Sequence, residues 1–170
     1  MQPQSSAAIA NYILDRADRD RAPIDHMKLQ KLVYLAHGWH LAVTGQPLIQ
    51  DKIEAWQYGP VIPSLYHEFK ECGSNPIKGR AREYDANYEF TEAKADLPAE
   101  TAAVLEKVWN TYKELDAIDL SSLTHQAGTP WSAAAGKLST KELRNKRVPI
   151  RDQQIRDYYV SLARRGKTSG

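Results

Sequence analysis

The sequence predicts a mainly α-helical, single compact domain of about six helices with a small β-hairpin or short sheet element, over residues 1–166, with a frayed tail at 167–170. Three observations carry this. A chain of 170 residues is the size of one domain with a real core. Apolar residues recur at helical spacing through most of the chain, above all in residues 27–43. Strand-like alternation is confined to a few short segments, 53–57 and 82–90.

Ser5 or Ser6 can cap a first helix, whose inner face carries Ile9, Ile13 and Leu14 with Tyr12 beside them. The charged run 15–21 is its solvated end, and Pro23 closes the connection. Asp25 stands where the next helix needs an N-cap. At ~100° per residue, Leu29, Leu32, Val33, Ala36, His40 and Val43 share one stripe of that helix. Leu35, Trp39 and Ala42 widen the stripe, and Gln30, Lys31, Tyr34, His37 and Gly38 fall on the opposite arc. A helix apolar around half its circumference must be covered on most sides, so this is the expected central helix. Gly38 inside it costs about 1 kcal/mol against Ala. Such a position suits close approach by another backbone or a large ring, with Trp39 the candidate neighbour.

Gly45 and Pro47 stop this helix. Residues 48–49 and 53–57 either pair as a short hairpin or lie as extended segments. The turn Tyr58-Gly59-Pro60 follows, and a helix is expected from 61 through 69 to near Gly73, with Pro63 in its first turn. Residues 74–96 are turn-rich and charged, and 82–84 and 88–90 can add two short strands. Pro98 opens a helix with Ala102, Leu105, Val108, Trp109 and Tyr112 at helical spacing. Asp116 or Asp119 caps the next, carrying Leu120, Leu123 and Thr124 up to Gly128. A short helical turn begins at Thr129-Pro130-Trp131 and ends at Gly136. Pro149 starts the last helix, with Ile150, Ile155, Tyr158, Tyr159 and Leu162 inward.

Composition excludes several classes. Hydrophobic content of 42% and charged content of 26% are ordinary for a globular protein. No apolar run approaches the ~20 residues of a membrane span. The N-terminus lacks a basic n-region and is not expected to be a signal peptide. The single cysteine, Cys72, excludes an internal disulfide and a cysteine-rich zinc site, and the chain reads as cytosolic. Net charge is +2 but unevenly placed. Residues 1–136 hold 13 Lys+Arg against 18 Asp+Glu (−5), and residues 137–170 hold 10 against 3 (+7). A basic end of this kind marks either a solvated helix or a surface for nucleic acid or an acidic protein. Aromatics do not interleave with the basic residues from Lys137 to Arg151 as a base-stacking platform would require.

Chemistry-bearing constellations are sparse. His37 and His40 have a spacing that could share a metal, but no HExxH and no carboxylate at ligand spacing accompany them. A hydrogen-bonded core histidine is the better reading of His40, and no metal or cofactor is expected. His125 would need a nucleophile and an orienting carboxylate to act in hydrolysis, and Asp119 lies on a different helical face. Thr124-His125 with Thr129-Pro130-Trp131 reads better as a helix boundary, in which Thr129 caps, Pro130 takes the first helical position and Trp131 packs. Cys72 precedes Gly73 at a helix C-terminus, where the dipole disfavours a thiolate. No P-loop or GxGxxG is present, and Asp15, Asp18 and Asp20 lack the glycine and closing glutamate of a calcium loop. No enzymatic activity is expected.

The corner Trp56-Gln57-Tyr58-Gly59-Pro60-Val61 differs in kind. Two large amphipathic rings flank a Gly-Pro turn, and Tyr66 follows one helical turn after Pro63. Such rings on a rigid corner either anchor a protein partner or seal the core against the central helix, and both readings stand at this point.

The same residues carry a resemblance. Lys28-Leu29-Gln30-Lys31-Leu32, Ala36-His37-Gly38-Trp39-His40, and Glu54-Ala55-Trp56 running into Gln57-Tyr58-Gly59-Pro60-Val61 with Leu65-Tyr66 occur in this order. Leu123-Thr124-His125, Pro130-Trp131 and the closing residues 155–159 follow. Together they resemble the Panacea antitoxin family, the SocA/GepA-type domain of bacteria and their phages, over about residues 9–159. The resemblance implies a type II antitoxin that neutralises a cognate toxin encoded nearby by direct contact. In some members the antitoxin instead delivers the toxin to a cytosolic protease. It implies no catalytic residues, and the extra DNA- or zinc-binding domain of some members is not expected here. The expected partner surface is Trp56, Tyr58, Gly59, Pro60, Val61, Tyr66 and Trp131 with the basic Arg144, Lys146 and Arg147. Leu29, Lys31, Leu32, His37, Gly38, Trp39, His40, His125 and Pro130 are expected to be structural. A nucleic-acid-binding regulator using residues 137–170 is the alternative from another class.

Overall fold

A computed structural model describes residues 1–168, with side chains to 166. Eight helices are present among the described residues, α1 Ser6–Arg19, α2 His26–Thr44, α3 Pro63–Phe69, α4 Ala99–Tyr112, α5 Ala117–His125, α6 Pro130–Ala135, α7 Thr140–Lys146 and α8 Asp152–Thr168. Two antiparallel hairpins accompany them, β1 Glu54–Trp56 with β2 Gly59–Val61, and β3 Arg82–Tyr84 with β4 Phe90–Glu92. The fold is mainly α with small hairpins, as the sequence predicts. The expected frayed tail falls on α8's last two described residues and on 169–170, which lie outside the described residues.

Helix boundaries follow local chemistry. The side chains of Ser5, Asp25, Asp116, Thr129 and Ser139 each accept an N–H of the first turn they cap. Gly45 ends α2 in the left-handed conformation at φ 74°. The short α7 is absent from the sequence reading, although Ser139 and Glu142 form a reciprocal capping box that announces it.

Helix α2 runs through the middle, with α8, α4, α5 and α1 packed around it. From Leu29 to Leu41 every residue is buried except the half-buried Trp39. The opposite arc is therefore interior too: Gln30, Lys31, Tyr34 and His37 are each 3% exposed or less. Val43, assigned to the buried stripe, is 58% exposed, because the last turn of α2 emerges from its surrounding helices.

Three other boundaries depart from the sequence reading, and one pairing it left open is resolved. Residues 48–49 do not pair with 53–57. Ile49 bridges Gln4, and β1 pairs across the turn with β2, with Trp56 opposite Gly59. The helix expected from 61 starts at Pro63, because Val61 is the last residue of β2, and a 3₁₀ turn over Lys70–Cys72 finishes it. The second strand of the later hairpin is 90–92 rather than 88–90, since Tyr88, at φ 60°, belongs to the turn. The last helix starts at Asp152, and the segment before it, Pro149, bridges Glu54.

Gly38 meets a large ring, but the ring is Tyr159 of α8. A Cβ at Gly38 would come within 2.5 Å of Tyr159 Cδ2 and 2.9 Å of Cζ. Trp39, the expected neighbour, instead packs edge-on against the same ring at 5.1 Å and donates its Nε1–H to the Tyr112 hydroxyl at 3.0 Å.

Candidate functional site

The β1–β2 corner is held by side chains rather than by a larger sheet. Gln30 of α2 bonds both ends of one peptide position, accepting from Ile62 N at 3.0 Å and donating to Ile62 O at 3.2 Å. One residue on, the Lys31 ammonium donates to Pro60 O at 2.9 Å. Ser121 Oγ of α5 donates to Tyr58 O at 2.8 Å, and Trp131 Nε1–H of α6 donates to Trp56 O at 2.7 Å. On the outer edge, Ala55 N donates to Val148 O at 2.8 Å. Backbone groups that a two-strand ribbon leaves open are thus paired.

Lys31 is 2% exposed, and burial pushes its amine down to about 7. Its end lies against Gly59, where a Cβ would sit 2.9 Å from Nζ and 3.3 Å from Thr124 Oγ1. Gly59 also has φ 109°, so the residue is required there twice over, by space and by backbone conformation.

The predicted partner residues divide into two sets. Gly59, Pro60 and Val61 are buried, so they shape the corner and offer no side chain to a partner. Tyr58 stands 59% exposed at its tip, on a backbone pinned by Ser121. Trp56, Tyr66 and Trp131 are half-buried: the Tyr66 ring sits 4.9 Å from Trp56 and 5.0 Å from His26. Trp131 lies 5.2 Å from His125, and Trp56 donates to Glu54 Oε2 at 2.8 Å. These rings pack on one side and leave an edge open. Arg144, Lys146 and Arg147 are exposed on or just after α7, which packs against β1, so the basic segment adjoins the corner.

The three histidines weighed as site candidates, His37, His40 and His125, are committed to structure. His40 donates from Nδ1 to Gln46 O at 2.8 Å and accepts from Thr101 at Nε2 at 3.1 Å, and burial lowers its pKa. His37 Nδ1 accepts from Ile49 N at 3.3 Å while Nε2 faces Asp152 at 3.0 Å. His125 Nδ1 bonds the Ser121 carbonyl one turn back. Among the described residues no three His, Cys, Asp or Glu side chains gather as a metal site, and no helix is long and apolar enough to cross a membrane.

Gln30 and Ser121 were not singled out by the sequence as site residues. The signal for Gln30 is faint, a polar side chain on a helix apolar around half its circumference, and Ser121, on a helix that exposes Ile118, Asp119 and Ser122, has none. The window holding the α2 clamps, the corner and Trp131 is also the window of a family match. Residues 29–132 match the Antitoxin SocA-like, Panacea domain. The chain belongs to this family. It is 35% identical over 138 residues to Antitoxin SocA of Caulobacter vibrioides (strain NA1000 / CB15N), covering 78% of this chain and 72% of that protein. No solved structure matches the chain. Membership gives it an antitoxin role with a toxin as partner. α1, α7 and α8 fall outside the matched window, so the basic neighbour of the corner and the ring on Gly38 come from flanking helices.

Proposed function

We propose that this Panacea domain neutralises a protein toxin by direct contact, as a type II antitoxin, through the β1–β2 corner flanked by basic α7. The observation that carries this is Tyr58, 59% exposed on a turn fixed from four sides by Gln30, Lys31, Ser121 and Trp131. A large amphipathic ring held on rigid backbone loses little entropy on binding, which is the physics of an interface anchor. The open edges of Trp56, Tyr66 and Trp131 extend the apolar centre, and Arg144, Lys146 and Arg147 supply a cationic rim. The protein acts as a cytoplasmic binding partner rather than an enzyme, and a phage or prophage setting fits the family.

The test is co-expression. Inducing the neighbouring open reading frame should arrest growth, and co-expression of this chain should restore it with a stable complex recovered. Tyr58→Ala and Trp56→Ala, still folded, should weaken rescue. Full rescue by both variants removes the corner from the interface. Rescue with rapid toxin loss and no complex would replace direct blocking by delivery to a protease. Absence of toxicity and rescue, with salt-sensitive binding to DNA through residues 137–170, would replace the antitoxin reading by nucleic-acid binding.

A further inference from the structure

The second hairpin projects aromatic side chains that the core does not use. Tyr84 is 71% exposed and Phe90 49%, and as cross-strand partners their rings lie 5.1 Å apart. Nearer the base, Arg82 stands opposite Glu92, so the register puts all four side chains on one face. Glu83, opposite Thr91, turns to the other face. The register offers an Arg82–Glu92 ion pair that the chain does not make. The Arg82 guanidinium lies 4.9 Å over the Phe90 ring and donates to Phe90 O, and among the described residues the Glu92 carboxylate has no hydrogen bond or ion pair. A two-stranded ribbon with three-residue strands is marginal in water by itself, yet here both ends are fixed. At the base, the buried Asn11 of α1 donates to Ala81 O at 2.9 Å and Ala93 O at 2.8 Å, and accepts from Ala81 N at 2.8 Å. At the tip, the Asp85 carboxylate accepts from Asn87 N at 2.8 Å and Glu89 N at 3.0 Å. The aromatic face is thus held in register and left uncovered.

Unlike charges facing each other across the strands, with ring opposite ring beside them, make this face complementary to itself. A 180° rotation about an axis along the hairpin, midway between two stacked copies, lays β3 of one over β4 of the other. Arg82 of each copy then meets Glu92 of the other, and each Tyr84 covers the other's Phe90. A face with an excess of one charge would repel its own copy, whereas this one carries one cation and one anion. We propose that the β3–β4 arm is a self-association surface, on which a second copy of this chain docks through an isologous two-fold contact that closes Tyr84 and Phe90 from water. Four residues a side is well short of the roughly 20–30 of a standard interface, so the dimer is weak, with a Kd on the order of tens of micromolar. The contact uses no residue of the β1–β2 corner and does not depend on toxin binding.

The experiment is sedimentation velocity of the full chain over a range of concentrations, without toxin. Wild type should pass from monomer to dimer between roughly 1 and 500 µM. Tyr84→Ser/Phe90→Ser should raise the dimer Kd at least roughly tenfold. Arg82→Glu places two carboxylates on each face and Glu92→Arg two guanidinium groups, so each variant alone should also dimerise at least roughly tenfold more weakly. The equimolar mixture of these two variants, and the double swap Arg82→Glu/Glu92→Arg, should each return to within roughly threefold of wild type, because only a reciprocal contact re-forms the pairs. All the substitutions fall on exposed side chains, and circular dichroism and melting confirm the fold of each variant. A wild-type chain that stays monomeric to roughly 500 µM overturns the proposal. So does a dimer that Tyr84→Ser/Phe90→Ser leaves intact, or a charge mixture that stays monomeric. If wild type is monomeric and Tyr84→Ser/Phe90→Ser weakens its capture of the toxin, the toxin covers this face and the proposal is wrong.

Discussion

Replacing Gly38 by Ala isolates the contact that docks α8 onto the central helix. Two effects oppose each other. Alanine stabilises a helix interior by about 1 kcal/mol relative to glycine. Against that, the new methyl would stand 2.5 Å from Tyr159 Cδ2 and 2.9 Å from Cζ, about 1 Å inside the optimal separation of two carbons. Tyr159 is 3% exposed and held edge-on by Trp39 at 5.1 Å and Tyr158 at 5.2 Å, so its ring has nowhere to withdraw. Overpacking of a filled core costs typically 1–3 kcal/mol, and occasionally more, with this approach at the upper end. The net expectation is about 2–3 kcal/mol of destabilisation. Tyr159→Ala alone should cost about 3–5 kcal/mol, as for other large aromatics removed from a core. In the double variant the methyl enters the space the ring vacated, so Gly38→Ala becomes neutral or stabilising there. A double-mutant cycle by urea denaturation should therefore show coupling of about 2–4 kcal/mol. Two single costs that add to within about 0.5 kcal/mol, or a Gly38→Ala variant as stable as wild type, would refute the close approach as the reason for glycine.

Two further outcomes test the clamps on the corner. Lys31 titrates near 7 in the fold and near its ordinary value of 10.5 when unfolded, so the unfolded chain binds the extra proton between those limits. Stability should rise with pH from about 7 to 10.5, by up to about 1.4 kcal/mol per unit from this group, and below 7 its full cost remains. Denaturation at several alkaline pH values should show a shallower slope in Lys31→Met; an unchanged slope would mean the amine is not buried as described. Gln30→Ala leaves Ile62 N unpaired at a fully buried residue, while Ile62 O keeps its bond from Tyr66 N at 2.9 Å, and should cost about 1–3 kcal/mol in urea denaturation. A loss under about 1 kcal/mol would show that the corner does not depend on this clamp.

Much of the architecture was legible in the chain because the signals are local. Asp25, Thr129 and Pro130 mark helix starts by the bonds that their own neighbours need, and the periodicity from Leu29 to Leu41 announces a covered helix. The corner was also legible as an unusual turn between two aromatic residues. Which part of it faces outward was not. Burial of Gly59, Pro60 and Val61 and exposure of Tyr58 depend on α5 and α6 closing over the turn.

By itself the sequence determined every helix but the short α7, the central place of α2, and the family motifs from Lys28 to Trp131. Periodicity and capping need only residues a few positions apart. Tertiary structure alone decided that Gln30 and Lys31 are interior, since a polar arc is solvated only if nothing covers it, and here the corner does. It also decided that residues 54–56 pair across their own turn, and that the ring over Gly38 arrives from Tyr159, 121 positions along the chain. The physical reason is common to all three. Each rests on a surface supplied by a distant segment, and the local pattern of a chain does not record which segment will arrive.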